Sequence, residues 1–95
     1  MSGAAPTSAP AAPSVVTVRV LLFASYAEHL GAESLELTLS SPATVADVVT
    51  RLRALPGGHL LPPKPLCARN LAHAGQADPV SSGDEIAVLP PLAGG

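Results

Sequence analysis

An α+β domain, in which one main amphipathic helix packs on one face of a mixed sheet, is the fold class this sequence predicts. Three observations carry that reading. Apolar residues alternate from Val15 to Phe23 and again from Ser34 to Leu39; a stripe at helical spacing runs from Val45 to Leu55; and short strand-like stretches return at Leu66 to Asn70 and Glu85 to Leu89. No segment repeats another.

The elements follow in order. Met1 to Ser14 holds only Ala, Pro, Ser, Gly and Thr after the methionine, and Pro6, Pro10 and Pro13 deny it helix, so residues 1–14 are expected to form a disordered tail. The first strand sets Val16, Val18, Val20 and Leu22 on one face and Val15, Thr17, Arg19, Leu21 and Phe23 on the other. Both faces are largely apolar, so the second must be covered, by a helix of this domain or by a partner. Ser25 to Leu30 reads as a short helix stopped by Gly31 in a left-handed cap, and Ser34 to Leu39 then points Leu35, Leu37 and Leu39 one way.

Beyond the Ser40-Ser41-Pro42 turn, Val45, Val48, Val49, Leu52 and Leu55 make the stripe of the long helix. Thr44 is its N-cap, Asp47 a short variant of the capping-box partner, and Arg51 and Arg53 suit its negative end. Pro56-Gly57-Gly58 ends it as a loop, and the prolines up to Pro65 impose an irregular connection. Turn signals at Gly75, Asp78-Pro79 and Ser82-Gly83-Asp84 precede the last strand, where Ile86 and Val88 point inward. The domain is thus assigned to residues 15–89, and 90–95 to a flexible arm.

At 95 residues, with 24 Val, Leu and Ile plus Phe23 and Tyr26, the core is small and leaves no room for a large internal cavity. Five basic residues against seven acidic ones, with no basic cluster, argue against nucleic acid. No apolar run is long enough to span a membrane, and no basic, apolar leader precedes the domain. The single cysteine, Cys67, excludes an internal disulfide and a zinc ribbon; it reads as a buried unreactive thiol, and a reducing cytoplasm is the expected compartment. His29, His59 and His73 show no metal-ligand spacing, so no metal site is expected. Asn70 and Gly83-Asp84 are assigned to local backbone geometry.

The chemistry is expected at the end of the chain. Pro90 and Pro91 stiffen the base of an arm that reaches about 20 Å at 3.3 to 3.6 Å per residue. Gly94 and Gly95, without side chains, can pass a channel that a β-carbon would obstruct. Leu92, Ala93 and Gly94 are therefore the candidate channel residues, and the Gly95 carboxylate the reactive group. A carboxylate is ionised at neutral pH and is a poor acyl donor, so it must be activated from outside. This sequence has no phosphate-binding GxxxxGK[ST] loop and no nucleophile paired with a base. A carrier is the expected role, and an autonomous small enzyme is least favoured.

The opening strand Val18-Arg19-Val20-Leu21-Leu22-Phe23-Ala24, Leu30-Gly31, Pro42-Ala43-Thr44-Val45, Asn70, Gly83-Asp84-Glu85-Ile86 and the ending Pro90-Pro91-Leu92-Ala93-Gly94-Gly95 resemble the MoaD-type sulfur carriers, small subunits of molybdopterin synthase, within the MoaD/ThiS ubiquitin-like family. The resemblance covers Val16 to Gly95, and its most specific motifs are the last two. It implies a β-grasp fold whose terminal glycine, Gly95, is adenylated by a ubiquitin-activating-like adenylyltransferase using Mg-ATP, with no cofactor bound by this chain itself. A sulfur donor protein then supplies the sulfur of a thiocarboxylate. The synthase large subunit receives the arm and passes the sulfur to cyclic pyranopterin monophosphate. The resemblance places the partner interface at Phe23, His73 and Leu89, with His73 standing where leucine is common and Leu89 where phenylalanine is. Ala27 replaces a basic residue of some relatives. Thiamin-pathway carriers join their first strands by a tight hairpin, whereas ten residues, Ala24 to Glu33, intervene here. Carriers for thiamin or cysteine synthesis, and ubiquitin-like modifiers that join Gly95 to a target lysine, are the alternatives.

Overall fold

Alternation makes Val15–Leu22 (β1) a strand with one wholly apolar side, and it pairs on both edges. It runs antiparallel to Ser34–Ser40 (β2), with Val18 opposite Leu37 and Val20 opposite Leu35, and parallel to a later strand, with Leu22 opposite Val88. The structure, a computed structural model, describes residues 14–91. The expected tail and arm therefore lie outside the described residues except for Ser14, Pro90 and Pro91.

The other elements are a helix Ala24–Leu30 (α1), a two-residue strand Ala43–Thr44 (β3), the main helix Val45–Arg53 (α2), and strands Leu66–Arg69 (β4), Ala72–Ala74 (β5), Pro79–Val80 (β6) and Glu85–Leu89 (β7). Five strands form one mixed sheet in the order β2-β1-β7-β4-β5, while β3 and β6 pair separately. The core lies between one face of the large sheet and the helices: Val18, Val20, Leu22, Leu37, Ile86 and Val88 meet Tyr26, Val45, Val48, Val49 and Leu52, all buried.

The capping box of α2 forms as expected: the Asp47 amide donates to Thr44 Oγ1 at 3.3 Å and the Thr44 amide to Asp47 Oδ2 at 2.8 Å. The helix stops short of Leu55. The Ala54 and Leu55 amides already bond three residues back, to Arg51 and Leu52 at 3.1 Å, because a residue preceding a proline avoids the helical region. Gly57-Gly58 also does more than serve as a loop. Gly57 has φ +84°, and a β-carbon there would stand 1.9 Å from the His29 carbonyl oxygen; one on Gly58 would stand 1.9 Å from that of Leu52. These two glycines let the chain pass between α1 and α2 into a single 3-10 turn, Gly58–Leu60, which delivers the buried Leu61. Gly31, at φ +73°, caps α1 as expected.

The hairpin β4–β5 turns through Asn70 and Leu71, both left-handed at φ 52° and 74°. Asn70 braces it: Oδ1 accepts from the Glu85 amide at 2.9 Å and Nδ2 donates to Asp84 Oδ1 at 3.0 Å. Asp84, only 9% exposed, also accepts from the Ser81 amide at 2.8 Å and from Arg69 at 3.4 Å. The Asn70 amide group foremost, then the Ser81 N–H and Arg69, hold its carboxyl below the ordinary carboxylate range. A native value lowered in this way contributes stability that is complete above about pH 4 and is lost as pH falls through the native value. Asp84→Asn is expected to cost about 1–3 kcal/mol at neutral pH. As pH falls through the lowered native value the wild-type carboxyl is itself protonated, so the penalty should shrink with falling pH. Urea unfolding of both proteins across a series of pH values from neutral downwards checks this, and a penalty that does not change with pH contradicts it. Among the described residues, no helix is long and apolar enough to cross a membrane.

Candidate functional site

Strand β7 is the middle strand of the large sheet, and it ends at Leu89, where the chain passes to a half-buried Pro90 and an exposed Pro91. Neither proline has an amide hydrogen with which to extend the ladder, so pairing stops at this point. Leu92, Ala93, Gly94 and Gly95 lie outside the described residues. What the structure places is the root of the arm.

The root is flanked on both sides. In the parallel register Leu22 stands opposite Val88, which brings Phe23 level with Leu89; on the other side Leu66 stands opposite Leu89. Phe23 keeps the extended backbone of the strand, φ −129° and ψ 150°, and caps α1, its carbonyl accepting from the Tyr26 amide at 3.0 Å. The next residue, Ala24, has φ +50°, a left-handed conformation that costs a non-glycine residue about 1–2 kcal/mol. The reversal it makes turns the chain into α1 and leaves Phe23 43% exposed.

Directly paired residues share a face, so the registers define the surface that looks away from the helices. Ser34, Leu21, Ala87, Ala68 and His73 form one row across all five strands. Towards the arm lie Phe23, Leu89 and Leu66; away from it lie Glu36, Arg19 and Glu85. This face is apolar at the end where the arm departs and charged at the other. Leu66 is 48% exposed, and Leu21, Ala68, Ala87 and Leu89 are half-buried. Both helices bury their apolar residues on the opposite side, so among the described residues no helix of the domain covers the second face of β1.

The three interface residues expected from the sequence thus occupy one face, though not one cluster. Phe23 and Leu89 stand level with each other where β1 and β7 end, while His73 sits on the edge strand β5, with β4 between it and β7. Sequence reasoning missed Leu66, which stands nearer the root than His73 does. The signal was present: with Cys67 buried, alternation in β4 turns Leu66 outward. An open groove is lined by Leu21, Leu22, Phe23, Ala24, Ala27, Glu33 and Ser34, so Ala27 shares it with Phe23 on the β2 side.

Cys67 is buried, its thiol 3.6 Å from the Pro65 carbonyl oxygen, and burial pushes its pKa up to about 11. A thiol so shifted is protonated at neutral pH and is no nucleophile. Phe23, Leu66 and Leu89 offer contact area rather than acid–base groups. The arrangement is suited to seating this face of the domain on another protein.

A model of the ThiS family matches residues 20–95. A search of curated proteins finds no match. Among solved structures the chain is similar to SAMP1 from Haloferax volcanii, at 26% identity and TM-score 0.72, covering 83% of this chain and 99% of that one. It is also similar to the putative molybdopterin converting factor subunit 1 from Pyrococcus furiosus, at 20% identity and TM-score 0.70, covering 81% and 99%. A third likeness is to the complex of subunits 1 and 2 of the molybdopterin-converting factor from Helicobacter pylori, at 21% identity and TM-score 0.61, covering 84% and 100%.

Proposed function

The chain belongs to the ThiS family of ubiquitin-like β-grasp sulfur carriers, and on that premise we propose that Gly95 carries sulfur as a thiocarboxylate and donates it in molybdopterin synthesis. The observation that carries this reading is the placement of the arm root: the middle strand ends at the apolar limit of an uncovered sheet face, and the family match extends through Gly95.

The chemistry is supplied from outside. In the site of a ubiquitin-activating-like adenylyltransferase, a Gly95 carboxylate oxygen attacks the α-phosphorus of Mg-ATP and pyrophosphate leaves. Hydrosulfide released by a donor protein then attacks the carbonyl carbon of the acyl-adenylate; the carbon–sulfur bond forms as the carbon–oxygen bond to AMP breaks, and the sulfur's proton passes to water to leave the thiocarboxylate. In the large subunit the thiocarboxylate sulfur attacks a carbon of cyclic pyranopterin monophosphate, and the new carbon–sulfur bond forms as a carbon–oxygen bond of that substrate breaks, the oxygen leaving with the electron pair. Water then cleaves the resulting thioester and regenerates the Gly95 carboxylate. This chain contributes reach and docking: Phe23, Leu66 and Leu89 seat the domain, and Leu92, Ala93 and Gly94 thread the channel. The helix α1 between β1 and β2 supports the molybdopterin type over a thiamin-pathway carrier, whose first strands join by a tight hairpin.

A single-turnover reaction of the thiocarboxylated chain with the large subunit and cyclic pyranopterin monophosphate tests the reading, with dithiolene formation expected. Phe23→Ser and Leu66→Ser should each weaken docking about 10-fold or more, as loss of a central apolar anchor does. Absence of sulfur transfer to that substrate, from a chain shown to be loaded, refutes the pathway.

The likeness to SAMP1 favours a second reading, a protein modifier in which the Gly95 acyl group passes to a target lysine. It predicts conjugates that survive thiol reagents.

A further inference from the structure

Lysine occurs once in this sequence, at Lys64. It stands in Pro62-Pro63-Lys64-Pro65, an exposed residue in the connection that leads into β4. Pro65 restricts the backbone of Lys64 to extended conformations, and the residue is exposed to solvent. Among the described residues it has neither an ion-pair nor a hydrogen-bond partner. Its position relative to the arm is set by the sheet. Leu66 pairs with Leu89 in antiparallel register, so Lys64 lies two residues before that pair and Pro91 two residues after its other member, at the same end of the sheet.

We propose that Lys64 is an acyl-acceptor site, whose ε-amine takes the activated Gly95 acyl group of a second copy of this chain. The proposal rests on the reading of Gly95 as an adenylated terminus. Its own Gly95 is a poor donor to it while the arm is engaged: five extended residues beyond Pro90 span about 17 Å, so an arm seated in the activating site holds its end far from its own domain. The amine lone pair attacks the carbonyl carbon of the acyl-adenylate, and the carbon–nitrogen bond forms as the carbon–oxygen bond to AMP breaks. AMP leaves with that electron pair, the nitrogen proton passes to water, and the ATP already spent on adenylation supplies the driving force. Arginine offers no alternative, because its guanidinium stays protonated. With one side-chain amine per chain, linkage between copies has a single side-chain position, beside the root of the acceptor's arm.

The test incubates the full chain with its adenylyltransferase and Mg-ATP in the absence of a sulfur donor, following pyrophosphate release and the masses of the products. The expected product has the mass of two chains less one water, with Gly95 joined to Lys64 in the peptide map. Lys64→Arg should keep pyrophosphate release and lose the product. Pyrophosphate release without a conjugate overturns the assignment of Lys64 and leaves the activation of Gly95 standing. So does a conjugate that persists in Lys64→Arg through the Met1 amine, or only a cyclised single chain. No pyrophosphate release overturns the reading of Gly95, and this site with it.

Discussion

Chains extended by one alanine after Gly95 are expected to lose activation almost completely while unfolding at the same urea concentration as the unmodified chain. The reacting carbon would lie one residue, about 3.3–3.6 Å, from its place in the adenylyltransferase, and a misplacement of about 1 Å already costs on the order of 10²-fold. The added methyl group also meets a channel that two glycines pass without a β-carbon. Pyrophosphate release measures the loss. The stability readout separates a chemical defect from a folding defect, because the paired strands and both helices lie before Pro90. Activation within a few-fold of the original chain would contradict the assignment of Gly95.

The second large effect lies in the core. Gly58→Ala is expected to destabilise the domain by about 3 kcal/mol, since the new β-carbon would stand 1.9 Å from the Leu52 carbonyl oxygen and 2.8 Å from Arg53 Cα, both backbone atoms that cannot swing aside. For a domain of this size that corresponds to a fall of roughly 12–24 °C in Tm. Gly75→Ala is the control: a β-carbon there meets only the Asp78 carboxylate, at 4.0 Å. Thermal unfolding of the two variants should differ widely. Equal melting temperatures would mean that the turn between α2 and Leu61 is not closely packed.

What was legible in the sequence depended on period. β1, β2 and α2 have eight, seven and nine residues, long enough for alternation or a helical stripe to declare which side is buried. Their inward residues are those the pattern nominates. The pair β3–β6 escaped, because two-residue strands have no period, and it exists only through Ala43 meeting Val80 across the fold. β5 escaped because its hairpin turns through Asn70-Leu71 rather than Asn-Gly, a leucine holding the left-handed position that glycine usually marks. At the site, Phe23 and Leu89 were within reach of sequence reasoning. Alternation around a buried Cys67 could have turned Leu66 outward, but its place beside the last strand came with its pairing to Leu89, and the tight passage at Gly57-Gly58 came with the helices on either side of it.

The central claim, that the terminal glycine is where sulfur is carried, is tested most directly by mass spectrometry of peptides from a chain treated with its adenylyltransferase, Mg-ATP and a sulfur donor protein. The predicted result is a gain equal to the replacement of one oxygen by sulfur, confined to the peptide that ends in Gly95. An unchanged terminal peptide from a chain that has consumed ATP, or sulfur found instead on Cys67, would contradict it.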